Sequence, residues 1–305
     1  MVELSGSTLG QAGKEHPYPD IADIRNATPE AVKFFSSFFT AKSRYDVDGT
    51  MAHFSPDMVT YTDATLGWFI DGFQALKDLF TRYMPGWSPS GLSYPTRILG
   101  STESAVVAFT DTPELFGGEL RILGVVDFVD GKIVRWVDYW DSCGFDSKLY
   151  DRLRTPLEKF PPDLHEKEAA SKASVKIQRA ARRFQDAFSA GDAAAAIDIF
   201  AYDAVYEDMA LRTQVLGRAA IGRYLKRILT EAPYGSGSGL RHVVGGDYGG
   251  GFEWAAAPHS ALKFGVTALE LDARGSITRL TVVYDGRALD RRRLDELTLL
   301  SRDEF

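Results

Sequence analysis

Residues 130–141 read DGKIVRWVDYWD, and residues 274–285 read RGSITRLTVVYD. Laid together they match Gly131 with Gly275, Ile133 with Ile277, Arg135 with Arg279 and Asp141 with Asp285, at a constant offset of 144. Upstream, Tyr61-x-Asp63 matches Tyr206-x-Asp208 at an offset of 145, and so do the glycines nine residues further on, Gly72 and Gly217. Offsets this steady mark an internal repeat, so the chain reads as two copies of one fold. Within the opening stretch, Asp130-Gly131 is hairpin chemistry and Ile133-Val134 are strand formers. Strand alternation puts Trp136, Asp138 and Trp140 on one face and Arg135, Val137 and Tyr139 on the other. A carboxylate between two tryptophans either faces water or is an acid or base tuned by burial.

The same order of elements is predicted in each copy. Two amphipathic helices come first, at about 29–43 and 46–54, and again at about 172–190 and 192–200. A strand with Tyr-x-Asp and a turn into a third helix follow (72–84; 217–231). Long strands joined by hairpins finish the unit, with FGGEL at 116–120, Asp130-Gly131 and Ala273–Gly275 as turns. Helices first and antiparallel strands after predict an α+β class, with helices packed on one face of a curved sheet. The boundaries expected are an N-terminal extension 1–27, a first domain 28–146, a linker 147–171, a second domain 172–290 and a C-terminal tail 291–305. The linker is rich in proline and charge and carries one short helix.

Composition narrows the function. The chain has 305 residues, is 45% hydrophobic and 25% charged, and carries a net charge of −7. That balance is the balance of a soluble globular protein. No basic run beyond Arg291–Arg293 stands out, so nucleic acid is not an expected partner. One cysteine, Cys143, excludes an internal disulfide and a thiolate cage. MVELSGSTLGQAGKEHPYPD has no signal-peptide core. No apolar run is long enough to span a bilayer as a helix. A cytoplasmic location without membrane contact is expected. The histidines His16, His53, His165, His242 and His259 show no ligand spacing, and no metal is expected. GSGSGLRHVVGGDYGGG (235–251) lacks the Gly-Lys-Ser/Thr ending of a phosphate loop and reads as flexible hairpin loops. KIQRAARR (176–183) reads as a solvated helix face.

Two stretches carry a family resemblance. GDAAAAIDIFAYDAVYED (191–208) resembles the ketosteroid-isomerase segment that ends on its catalytic Asp, here Asp208. RILGVVDFVDGKIVRWVDYWDSCGFD (121–146) resembles the end of limonene-type epoxide hydrolases, where an Asp in a W-R-D-Y-F-D pattern activates water, here Asp138. Both belong to the NTF2-like or SnoaL-like superfamily, which also holds scytalone dehydratase and polyketide cyclases. The resemblance covers about 28–146 and 172–290 and implies two tandem cone-shaped NTF2-like domains, as in the two-domain epoxide hydrolase/cyclases of polyether biosynthesis. The departures are specific. Where the isomerases carry a Tyr oxyanion donor this chain has Phe38 and Phe184, and their Asp donor falls near Gly124 and Gly265. The Asp-Arg-Asp set of the epoxide hydrolases keeps Asp111 and Asp138, but its Arg falls on Phe109. In the second copy the Asp138 position is Val282.

The resemblance thus implies one cavity in the first copy, lined by Asp63, Asp111, Asp138 and Tyr61 as catalytic candidates, with Trp136, Trp140, Trp68, Phe109 and Phe38 against the substrate. Neighbouring carboxylates cannot all ionise comfortably, which yields an acid and a base. In the second copy Asp208, Tyr206, His242 and Tyr284 are candidates, with Glu253 behind them. The expected function is a cofactor-independent acid/base enzyme for a hydrophobic, oxygenated small molecule, by epoxide opening or cyclisation in natural-product biosynthesis or degradation. The alternatives are a SnoaL-like isomerase, dehydratase or aldol-type lyase/cyclase, and a non-catalytic small-molecule-binding or scaffold protein. The first copy is expected to carry the chemistry. The partners expected are the small hydrophobic substrate and, within the chain, the other domain, the two packing through the outward faces of their sheets as a pseudo-dimer; a homodimer is a further arrangement.

Overall fold

A computed structural model describes residues 16–258 and 260–302; His259 lies outside the described residues. The first half runs β1 (Asp23–Ala27), α1 (Pro29–Ser43), α2 (Val47–Met51), β2 (Thr60–Asp63), β3 (Trp68–Asp71), α3 (Gly72–Tyr83), β4 (Ser93–Gly100), β5 (Ser104–Asp111), α4 (Pro113–Phe116), β6 (Leu120–Val129) and β7 (Lys132–Trp140). After α5 (Ser147–Leu153) the second half repeats the plan: α6 (Val175–Ser189), α7 (Ala193–Ile197), β8 (Phe200–Asp208), β9 (Thr213–Leu216), α8 (Arg218–Ile228), β10 (Gly239–Gly245), β11 (Gly249–Ala255), β12 (Phe264–Leu271) and β13 (Ile277–Val283), closed by α9 (Arg291–Leu300).

The strand orders are β1-β4-β5-β6-β7-β2-β3 and β10-β11-β12-β13-β8-β9, the same sheet twice apart from β1. That strand lies in the region read as an extension, and it pairs in parallel with β4. Local chemistry repeats too. Thr28 caps α1 through the Ala31 N–H and Ser174 caps α6 through the Ile177 N–H. Asp46 caps α2 and Asp192 caps α7. Such caps satisfy amides that a helix start leaves without partners.

Three apolar clusters form. One fills the first unit, where Phe35, Phe38 and Phe39 of α1 meet Trp136 and Trp140 of β7. One fills the second unit, where Phe184 and Phe188 of α6 meet Phe252 and Trp254 of β11. The third lies between the two sheets and joins Val106, Val125, Val137 and Tyr139 to Val244, Val266, Ala268 and Val283. There the segment 235–251, read as flexible hairpin loops, is strand over Gly239–Gly245 and from Gly249 onward, with a short turn between. A Cβ on Gly100 would come within 3.0 Å of the Gly245 backbone, so the residue type permits the close approach of the sheets.

Charged groups cross this contact in matched pairs. Arg97 of β4 meets Glu270 of β12 at 3.0 Å, and the repeat-equivalent His242 of β10 meets Asp127 of β6 at 2.9 Å. Asp285 accepts from the Ser142 backbone N–H and hydroxyl, while Asp141 accepts from the Gly286 N–H, so the ends of β7 and β13 exchange reciprocal contacts. Among the described residues no helix is long and apolar enough to cross a membrane.

Candidate active site

The helix-covered side of the first sheet opens into a cavity of about 520 Å³. Apolar walls come from Trp68, Leu79, Phe80, Trp87, Phe116 and Ile122 among others, and the polar groups are Lys42, Tyr61, Asp63, Asp111 and Asp138. The pattern of a mostly apolar hollow with few convergent polar groups is that of small-molecule sites.

Asp138 stands on β7 beside Asp63 on β2, its neighbour in a parallel ladder. Its carboxylate accepts from Trp136 Nε1 at 2.5 Å and from the Tyr61 hydroxyl at 2.7 Å. Gly124, opposite Asp138 in the ladder, makes the first of these contacts possible, because a Cβ there would come within 3.0 Å of the Trp136 indole. Burial pushes the Asp138 carboxyl from 3.8 up to about 7. The Trp136 hydrogen bond, the Lys42 charge and the Tyr61 hydrogen bond pull it back only in part, and the nearby Asp63 charge adds to the rise. A carboxylate has about four acceptor sites, and the two donors leave Asp138 with capacity for a proton from substrate or water.

Asp63 is more fully engaged. It accepts the Thr65 and Leu66 backbone N–H groups and Trp140 Nε1, at 2.9, 2.8 and 2.9 Å. Burial raises it to about 6 against those three bonds. It therefore fixes the β2–β3 turn and the Trp140 ring as well as lining the cavity. Asp111, 4% exposed, has an Oδ1 that accepts no hydrogen bond. The nearest cation is Lys42, whose ammonium is 3.5 Å from that oxygen and 5.0 Å from the centroid of the Phe109 ring. Burial and the adjacent Asp138 hold the Tyr61 hydroxyl well above its ordinary range, so it is a hydrogen-bond donor and not a base.

Lys42 escapes the sequence reading. It lies at the C-terminal end of the α1 stripe Ala31, Phe35, Phe38, Phe39, where a lysine in an apolar series was the available signal. It brings a cation over the very ring, Phe109, that occupies the expected Arg position. Three expected substrate contacts need correction. Trp136, Phe38 and Phe109 do not line the cavity; they pack behind it in the core, Phe38 against Trp136 at 5.0 Å and Phe109 against Phe39 at 5.1 Å. Trp140 and Trp68 do line it, and Trp68 is anchored through Nε1 to the Leu153 carbonyl.

In the second unit Asp208 repeats the turn chemistry, accepting the Leu211 N–H at 3.0 Å. Its other oxygen takes the Tyr234 hydroxyl at 2.8 Å and the Tyr284 hydroxyl at 3.4 Å, and the Tyr206 hydroxyl donates to Tyr234 at 3.0 Å. Burial raises Asp208 to about 6. These tyrosines and Trp254 are packed against one another in the core. Tyr234 sits in a loop with no periodic signal, and no sequence pattern pointed to it. His242 does not join this cluster, because it faces the other sheet and binds Asp127. Cys143 is half-buried beside Asp141, and burial together with that carboxylate pushes its thiol up to about 12. Among the described residues no group of three or more His, Cys, Asp or Glu is placed to hold a metal ion.

Residues 181–291 match the family model of the SnoaL-like domain. Among solved structures the chain is similar to an LEH-like epoxide hydrolase of M. tuberculosis, with 24% identity over 41% of this chain and 92% of that one and a TM-score of 0.33. It is also similar to a steroid delta-isomerase from Pseudomonas aeruginosa (13% identity, 43% of this chain and 93% of that one, TM-score 0.35). A putative ketosteroid isomerase from Kribbella flavida is another (20%, 43% and 90%, TM-score 0.32). No curated protein matches the chain.

Proposed function

We propose, from the premise that residues 181–291 form a SnoaL-like domain, that the chain is an acid/base enzyme whose first unit opens an apolar epoxide. One observation carries the reading: Asp138 lines an apolar cavity, is held by two neutral donors and is raised to about 7, where a carboxyl exchanges protons near neutrality. General acid–base catalysis works best with such a match. The second unit, whose Asp208 is enclosed by packed tyrosines, serves as scaffold.

The chemistry follows from the charges. In its ionised form Asp138 takes a proton from water as the water oxygen bonds to an epoxide carbon. The carbon–oxygen bond of the ring breaks, and its electron pair goes to the ring oxygen. The Lys42 ammonium, held by Asp111, protonates that oxygen. A proton returns from Asp138 to Lys42 through solvent, and the product is a diol. When a hydroxyl of the substrate replaces water, the same steps give a cyclic ether.

The test is incubation of the full chain with apolar epoxides, styrene oxide first, in ¹⁸O-labelled water. The reading expects a diol carrying one ¹⁸O, at a rate above the protein-free control. Epoxides that bind in the cavity without being turned over overturn it in favour of a binding module.

A further inference from the structure

The outward face of β7 is gripped by the second unit. Glu253 of β11 accepts from Arg135 Nη2 at 2.7 Å through one oxygen and from the Tyr139 hydroxyl at 2.7 Å through the other. Arg135 and Tyr139 are four residues apart on β7, and the inward residues between and beyond them are Trp136, Asp138 and Trp140. All three members of the grip are buried, at 0%, 1% and 1% exposure for Arg135, Tyr139 and Glu253. The Arg135 Nε is fixed in turn by the Leu164 carbonyl at 2.8 Å, and its Nη1 lies 3.3 Å from Asp127, which binds His242.

The repeat makes the grip one-sided. Arg97 pairs with Ala108 in its ladder as His242 pairs with Glu253, so Ala108 is the counterpart of Glu253. An alanine has nothing to offer β13 in return. There Arg279, the counterpart of Arg135, turns to Glu207 of its own sheet, and Val283 stands in place of Tyr139. The outward face of β13, in the unit with Val282 at the Asp138 position, takes instead the Arg97 guanidinium on Thr281 Oγ1 at 2.9 Å, whereas β7, in the unit with Asp138, is bridged at two residues by one carboxylate.

We infer that Glu253 is a positioning residue for the first unit's site: from the second unit it fixes the pitch of β7 and so holds the Trp136 N–H and the Tyr61 hydroxyl on Asp138. This rests on the reading of Asp138 as the acid/base group, and it gives the second unit a part in that site without chemistry of its own. It also assigns buried charges to a geometric duty, because an unpaired member of such a set is costly and the set has one low-energy arrangement.

The inference has a signed consequence. Donors to the ionised carboxylate lower its pKa, so loosening Trp136 and Tyr61 must raise it. Loss of the Glu253 charge acting through space would lower it. The probe is the indole N–H of Trp136 in a ¹⁵N-tryptophan sample; the chain has five tryptophans, and Trp136→Phe identifies the peak. In the wild type this peak should move with a midpoint of about 7 as Asp138 titrates. In Glu253→Gln and Tyr139→Phe the midpoint should rise by about half a pH unit or more, with the other four indole peaks in place as the sign of an intact fold. An unmoved or lowered midpoint in folded variants overturns the inference. Where Glu253→Gln fails to fold, Tyr139→Phe, which deletes one oxygen and no charge, decides alone. The outcomes separate from those of the epoxide reading: intact epoxide turnover with an unmoved midpoint sinks the positioning role only, and a raised midpoint with no turnover of any epoxide sinks the epoxide reading only.

Discussion

Replacing Asp138 by Asn should change how the stability of the chain depends on pH. Burial pushes the folded carboxyl up to about 7, against 3.8 for the ordinary group. A carboxyl whose folded pKa is raised favours the folded state while it is protonated, and that advantage is lost as pH rises through the folded value. Between about pH 5.5 and 8.5 the unfolded group is ionised throughout, while the folded one passes from almost wholly protonated to almost wholly ionised. The linkage relation then gives a loss of roughly 2 kcal/mol from this one residue over the interval. Asn cannot titrate and keeps the volume, though it leaves either Trp136 or Tyr61 without an acceptor, a pH-independent cost of about 1–3 kcal/mol. Asp208, in the other unit, also weakens the fold as pH rises and does so equally in both proteins, while Asp63 does so somewhat less in the variant, where the repelling Asp138 charge is gone, which adds to the difference in the same direction. The assay is urea unfolding of wild type and Asp138→Asn at the two pH values, and the quantity is the difference between their pH-induced changes. A difference of about 2 kcal/mol, with the wild type losing more, is expected. Equal changes in the two proteins would refute the argument, because Asp138 would then not titrate in the window.

Three further outcomes follow from the geometry. Lys42→Met removes the cation beside buried Asp111. It should cost about 3–5 kcal/mol in chemical denaturation, most of it recovered in Lys42→Met/Asp111→Leu, where no charge is left unpaired. Asp208→Asn should lower epoxide turnover less than about tenfold and lower the unfolding midpoint, as expected of a residue that organises a packed tyrosine cluster. With its thiol at about 12, Cys143 should react with iodoacetamide near pH 7.5 far more slowly in the folded chain than in urea, as read by mass spectrometry.

The repeat, the order of elements and the inward face of β7 were legible because they are periodic. Matched glycines, matched aspartates and strand alternation survive in a single sequence, and with the fold that the family resemblance implies they pointed to one cavity for Asp63, Asp111, Asp138 and Tyr61, which all line it. What escaped depends on distance through space. Phe38 and Phe109 sit on the correct faces of their elements, but depth within a core is not written in alternation, and both lie behind the cavity wall. Gly249 and Gly251 read as loop because glycine is rare in strands, whereas here they face Asn26, Leu99 and Val106 of the first unit, so the close contact of the two sheets favours them. His242 and Glu253 looked like site groups of their own unit. They belong instead to a contact between units, which nothing within either repeat reveals. Lys42 was readable from its place in an apolar stripe, yet its partner Asp111 stands on β5, far along the chain from α1.

The most direct test of the account is steady-state turnover of an apolar epoxide by wild type, Asp138→Asn and Asp208→Asn, each verified as folded by circular dichroism. If the first unit does acid–base chemistry through Asp138, Asp138→Asn lowers kcat by at least about 10²-fold, while Asp208→Asn stays within about tenfold of wild type. Full turnover by Asp138→Asn together with a dead Asp208→Asn would contradict the account and move the chemistry to the second unit.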